Sequence, residues 1–167
     1  MTRAQLPALG YLYVALTLPA LIVGPAHQRV QAALLSGSAF AFLWFVASLG
    51  AKVIRFAPDG FFASIVVLGG AATVALQVIA ILGDRLLAGP AAAAAATTIV
   101  GSSLAAWRAR KIPEWFGQAG LAGGVAVLGV GIAEAASGWT LAGRSVYASM
   151  LGFMIWVIVT ATYLLRR

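Results

Sequence analysis

Long apolar stretches separated by short polar connections dominate this sequence, and they leave few folds open to it. Each stretch is about 20 residues long, which is the length that an α-helix needs to cross the hydrocarbon core of a bilayer. A chain of 167 residues has room for roughly six such helices and for no separate soluble domain. The sequence therefore predicts an all-α, polytopic transmembrane bundle, a single integral-membrane domain over residues 1–167. The predicted spans are residues 6–24, 30–51, 61–83, 89–107, 115–137 and 145–165.

The connection between the fourth and fifth apolar stretches is the most basic in the chain. This basic hinge contains Arg108, Arg110 and Lys111, and it lies between Trp107 and Trp115. Because loops rich in Arg and Lys are retained in the cytoplasm, the hinge predicts the orientation of every other segment. With the hinge inside, only Arg29, Arg85 and Arg144 of the 11 Lys and Arg residues fall on the outer side. This asymmetry predicts that both termini are cytoplasmic.

The amino-acid composition indicates where the protein is located and which partners it has. Hydrophobic residues make up 62% of the chain, and the mean hydropathy is +0.99, as expected for a protein whose solvent is lipid. The net charge of +7 does not indicate nucleic acid, because the cations lie at the ends of apolar stretches and form no stripe. The expected partners are membrane lipids. Abundant Ala, Gly and Arg hint at a GC-rich bacterial genome, and hence at a multi-pass protein of the bacterial inner membrane.

The first apolar stretch has a second interpretation. Arg3, the apolar run after it and the small residues at Gly24-Pro25-Ala26 also fit a secretory signal peptide. We favour a retained span, in which Pro19 introduces a kink by removing one backbone donor.

Glu134 is the strongest candidate for a functional polar site, because it lies inside an apolar stretch about one turn from its outer end. A carboxylate in a transmembrane helix needs a partner or a protein-lined site. Arg29, Arg85 and Arg144 are predicted on the same side, with His27 and Asp84 beside them. One interpretation is that Glu134 forms a proton-binding or cation-binding site near the outer end of the helix bundle. The commoner one is a structural ion pair, or a helix end that reaches headgroup water.

Gln77 is the other candidate, since it is the amide that lies deepest in a predicted span, with Thr73 one turn away on the same face. The pair could line a polar path. We favour a hydrogen bond from Gln77 to a neighbouring helix, because this is what intramembrane amides more often make.

Small residues predict where helices pack closely. Gly120 and Gly124 match the GxxxG pattern of close helix crossings, and Gly37 belongs to a small face of the second span. The fourth span is the least lipophilic, so we expect it at the centre of the bundle. Among the aromatic residues, Tyr11 and Tyr13 are expected in an interfacial belt.

Deeper in the spans, Trp44 and Trp156 are expected to pack inside the bundle.

No catalytic site can be assembled from the residues of this sequence. The sequence has no Cys and a single His, His27, so thiolate metal sites and a two-histidine haem site within one chain are excluded. Phosphate-binding loops, Gly-x-Ser-x-Gly elbows and His-Glu-x-x-His motifs do not occur. The expectation is a protein that is not an enzyme and needs no cofactor or metal.

Two segments resemble an uncharacterised bacterial family of six-span inner-membrane proteins, domain of unknown function 4386. The first is the hinge with the Gly-rich span that follows it, and then Gly152, Phe153, Trp156 and the terminal Arg166-Arg167. The second is Arg55-Phe56-Ala57-Pro58-Asp59-Gly60 followed by Leu68-Gly69-Gly70. The resemblance implies a topology and no active site.

Two hypotheses about function follow. The first is a small integral membrane protein that acts in an accessory or assembly role by packing its helices against itself or a partner membrane subunit. The alternative is an oligomeric transporter or channel component for a small solute or ion, using Glu134, Gln77 and a face with Thr97, Thr98 and Ser102. A hydrated cavity shared by Glu134 and Gln77 would favour transport, whereas two packed and paired groups would favour the structural role.

Overall fold

Six helices account for the regular secondary structure of the described residues, which in this computed structural model are 5–23, 27–58, 60–82, 87–108, 113–137 and 148–163. The helices are α1 (Gln5–Val23), α2 (Gln28–Phe56), α3 (Phe61–Leu82), α4 (Ala88–Arg108), α5 (Glu114–Ser137) and α6 (Ala148–Tyr163). The all-α class is therefore confirmed. Asp59 lies outside the described residues, as do Gly24, Pro25 and Ala26.

The helix bounds follow the apolar stretches closely, with one extension. Helix α2 continues beyond residue 51 to Phe56, because Val53 still packs in the core and its carbonyl accepts a bond from the Ala57 N–H at 2.8 Å. Helix α1 runs through Pro19 without interruption. At Gly60 the backbone has a φ of 74°, a left-handed conformation that glycine adopts without strain and that turns the chain into α3.

The helices form a closed bundle in chain order. Each helix packs against its neighbours in sequence, and α6 returns to pack against α1. Helix α4 contacts α2, α3, α5 and α6, so it occupies the central position that its small residues predict. Ala, Ser and Thr side chains let several backbones approach one helix closely, which larger residues would prevent.

An aromatic cluster fills the core where α1, α2 and α6 meet. The ring centroid of Phe42 lies 4.6 Å from that of Tyr13 and 5.4 Å from that of Phe153. Tyr13 is buried, so its expected place in an interfacial belt is wrong. Trp44 is 45% exposed and was expected to be packed, which is also wrong. The reason is helical phase: Phe42 and Phe45 turn toward the core, and this leaves Trp44 on the outer face of α2.

Three of the described helices contain stretches long and apolar enough to cross a membrane, namely Gln28–Arg55, Phe61–Ile81 and Glu114–Ser137. Helices α1 and α6 contribute shorter apolar stretches, Pro7–Val23 and Ala148–Tyr163. Large aliphatic side chains are exposed on the outside of the bundle, as at Leu68, which is 70% exposed. Such a surface suits a lipid environment.

Aromatic residues surround the end of the bundle that carries the basic hinge. Trp107 and Trp115 are both exposed, and the Trp115 ring packs edge-on against Tyr163 with centroids 5.5 Å apart. The Arg108 guanidinium lies 4.8 Å from the centroid of Phe62, in a cation–π contact. Arg110 and Lys111 lie outside the described residues.

Candidate functional site

Glu134 belongs to a regularly spaced buried face of α5. Positions on this face alternate by three and four residues, and most are glycine, so the face can approach another helix closely. They are Gly117, Gly120, Gly124, Val127, Gly131 and Glu134. Glu134 is only 2% exposed. The spacing that places the glycines against α4 therefore also turns the carboxylate into the protein.

The Glu134 carboxylate caps the start of α6. Its Oε1 accepts hydrogen bonds from the backbone N–H groups of Ala148 and of Ser149, the latter at 3.4 Å. Its Oε2 accepts a bond from the Ser149 hydroxyl at 2.5 Å. The first N–H groups of a helix have no acceptor within the helix, and they carry partial positive charge. A carboxylate supplies the missing acceptor and the opposite charge. Glu134 of one helix thus serves as the N-terminal cap of another.

The predicted outer charge cluster is only partly described. Arg29 is exposed in the first turn of α2, and His27 is exposed at the residue before that helix. Arg85, Arg144 and Asp84 lie outside the described residues. In the described part of the chain, the hydrogen-bond donors to Glu134 belong to α6, and Arg29 is not one of them.

Gln77 makes a hydrogen bond to a neighbouring helix. Its side chain is 7% exposed, and its Oε1 accepts a bond from the Tyr13 hydroxyl at 3.0 Å. The Thr73 hydroxyl donates to the carbonyl of Gly69 in its own helix, at 2.7 Å, so it does not pair with Gln77. The amide therefore joins α3 to α1.

Two small cavities of about 10 Å³ each lie beside Gln77. One is lined by Gln77 and Ser149 together with alanines of α4, and the other by Gln77, Tyr13 and Thr17. Glu134 lines neither of them. Ser149 is consequently the side chain that connects the surroundings of Glu134 with those of Gln77.

The glycines of the GxxxG pair lie against α4. A Cβ atom on Gly120 would come within 1.9 Å of the Ser103 Oγ, and one on Gly124 within 2.7 Å of a Val100 methyl carbon. Gly37 is less tightly placed, since a Cβ there would lie 3.2 Å from a methyl carbon of Leu16. The pattern is thus used inside the chain, to bring α4 and α5 together.

A second small-residue face of α5 is exposed, and it was not predicted from the sequence. Its positions alternate by three and four residues, as the buried positions do, and they hold only Ala or Gly. They are Ala119, Ala122, Ala126, Gly129 and Ala133. Beside this face an apolar groove of about 350 Å³ runs between α5 and α6, lined by Gly123, Ala126 and Gly152 among others. The repeated spacing of three and four residues could have revealed this face in the sequence, but the glycines of the buried face have the same spacing and are easier to notice.

In the described ranges, no group of three or more His, Cys, Asp or Glu side chains is arranged to hold a metal ion. Comparison with known proteins adds no assignment, because no family model, curated protein or solved structure matches this chain. The resemblance to domain of unknown function 4386 therefore stays a prediction.

Proposed function

We propose that this chain is a small bacterial inner-membrane protein that acts in an accessory or assembly role, by packing a face of α5 against a transmembrane helix of another subunit. The observation that carries the proposal is the exposed small-residue face of α5, from Ala119 to Ala133. The partner subunit is a second copy of the chain or a different membrane protein.

The two faces of α5 support this proposal. The buried face shows what such spacing does here, because it brings α5 close enough to α4 that a single added carbon at Gly120 would collide with Ser103. The exposed face has the same spacing, and a Cβ atom at Gly129 would meet no atom within 4 Å. In lipid, Ala and Gly contribute little apolar contact but permit close helix packing, so an exposed Ala/Gly face suits a partner helix better than lipid tails.

The groove between α5 and α6 extends the same surface. It lies beside Ala126 and is walled by larger side chains such as Ile155 and Val159. Its volume of about 350 Å³ is large enough to accept several side chains of a partner helix. The small-residue face then lets the backbone of the partner helix come close to α5, and the groove accepts side chains of that helix.

The proposed topology has six spans with both termini in the cytoplasm. The basic hinge supports it through the positive-inside rule, and Trp107 and Trp115 support it as exposed aromatic residues at the same end. Lipid phosphates at that interface are the expected contacts of the hinge cations.

Transport is less well supported than the packing role. Glu134 and Gln77 each have protein partners, and the cavities beside Gln77 have a volume of about 10 Å³ each. A cavity of that size holds about one water molecule, which is too small for a path through the bundle.

Cysteine cross-linking tests the packing proposal, and within this chain it reacts at the introduced position alone because the wild-type sequence has no Cys. We expect Ala126→Cys, labelled with a thiol-reactive photo-crosslinker, to give a single adduct in native membranes, at twice the chain mass for a second copy or at another defined mass for a different subunit. Leu68→Cys, on the exposed face of α3, is the matched control and should give none. Adding Ala122→Leu to the Ala126→Cys chain should abolish the adduct, because leucine fills the small face. Equal adducts at Ala126 and Leu68, or none at Ala126 with any cross-linker length, would contradict the proposal.

A further inference from the structure

Ser149 faces two polar neighbours at once. Its hydroxyl donates to Oε2 of Glu134 at 2.5 Å, and the residue also lines the cavity of about 10 Å³ whose other polar wall is Gln77. The remaining wall is mainly apolar and includes Ala92 and Ala95 of α4. A hydroxyl has one donor and two acceptor positions, so Ser149 can still accept a hydrogen bond from the cavity while it donates to Glu134.

Gln77 lines the same cavity, and its side chain carries an amide donor. Its Oε1 accepts the Tyr13 hydroxyl bond, but no described residue accepts a hydrogen bond from its amide nitrogen. The side chain is 93% buried, since its exposed fraction is 7%. Buried donors in folded proteins nearly always have an acceptor, either a protein group or an ordered water.

We propose that one water molecule binds in this cavity, accepting a hydrogen bond from the Gln77 amide and donating one to the Ser149 hydroxyl. The size of the cavity fits one water, and a buried water needs two to four polar partners, of which these residues supply two. The inference is independent of the packing role proposed for α5.

The water completes a series of hydrogen bonds that all run in the same direction, from Tyr13 to Glu134. Tyr13 donates to Gln77, Gln77 to the water, the water to Ser149, and Ser149 to the Glu134 carboxylate. Successive hydrogen bonds of one direction polarise one another, which strengthens the final bond to the carboxylate. The water site thereby links α1 and α3 to α6 and α5, and it contributes to holding a buried carboxylate in an otherwise apolar bundle.

Solid-state NMR of the protein in lipid bilayers, with ¹⁵N-labelled glutamine, tests the site. Magnetisation transfer from water to the Gln77 side-chain amide should be several-fold faster than transfer to that of Gln31. Gln31 is the matched control because it is also buried, and its amide donates to the carbonyl of Ala20 at 3.2 Å. Equal transfer rates for the two amides in the wild-type chain would overturn the proposal without any variant.

Two substitutions in α4 locate the water. Ala95→Val fills the cavity and should reduce transfer to Gln77 to the Gln31 level. Ala105→Val, at a buried position that does not line the cavity, should leave transfer unchanged. Fast transfer that persists in folded Ala95→Val would place the water elsewhere and overturn the assignment. If Ala95→Val does not fold, Ala80→Val, which fills the same cavity from α3, decides by the same readout.

Discussion

The Ser149 hydroxyl donates a hydrogen bond to Oε2 of Glu134 at 2.5 Å, and this contact joins the first turn of α6 to the end of α5. Together with the backbone N–H groups of Ala148 and Ser149, it gives the carboxylate three donors from one helix start. An acid in an apolar stretch is therefore held by donors from another helix, and these contacts connect the described start of α6 to the end of α5.

Glu134→Ala should destabilise the fold strongly. The substitution leaves the half-buried N–H of Ala148 and the buried donors of Ser149 without an acceptor, and each buried unsatisfied group costs about 1–3 kcal/mol. Glu114→Ala is the matched control, because Glu114 is an exposed acid in the first turn of the same helix. The free energy of unfolding in mixed micelles measures both changes. Equal losses for the two variants would show that the cap contributes nothing.

Gly120→Ala and Gly123→Ala should have opposite effects on stability. A Cβ atom at Gly120 would collide with Ser103, so we expect a loss of about 1–3 kcal/mol from overpacking. At Gly123 a Cβ atom meets nothing within 4 Å, and alanine favours the helix by up to about 1 kcal/mol. The same unfolding assay separates them. A Gly120→Ala chain as stable as the wild type would mean that α4 and α5 are not in close contact.

Tyr13 and Gln77 should be energetically coupled. In a double-mutant cycle with Tyr13→Phe and Gln77→Leu, we expect a coupling of about 0.6 kcal/mol, typical of hydrogen bonds between transmembrane helices. Tyr11 bonds to Thr162 instead, at 2.6 Å, so Tyr11→Phe combined with Gln77→Leu is the control and should show no coupling. Coupling of the same size in both cycles would assign the effect to general repacking.

The orientation of the chain should depend on the basic hinge. A reporter fused after Arg167 should be active in the cytoplasm and silent in the periplasm. Replacing Arg108, Arg110 and Lys111 with neutral residues should shift part of the population to the opposite orientation, because it removes the strongest retention signal. Neutralising Arg29, which the proposed topology places on the outer side, should leave the wild-type orientation unchanged. Periplasmic activity of the unaltered fusion would contradict the six-span topology.

Some of the site was accessible from the sequence, and the part that was not has a physical explanation. The position of Glu134 in an apolar stretch predicted that it needs a partner, but the donors found are mostly backbone groups of α6. Every residue carries such groups, so no side-chain pattern reveals which helix start will use them. Gln77 likewise predicted a hydrogen bond between helices, but not that Tyr13 would make it.

Length and hydrophobicity alone determined that the chain is helical and roughly where each helix begins and ends, because a segment in lipid must satisfy its backbone hydrogen bonds internally. The tertiary structure decided which face of each helix meets which neighbour. Both faces of α5 have small residues at the same spacing, yet only one packs against α4. Small residues permit close contact with many partners and select none, so only the assembled bundle makes that choice.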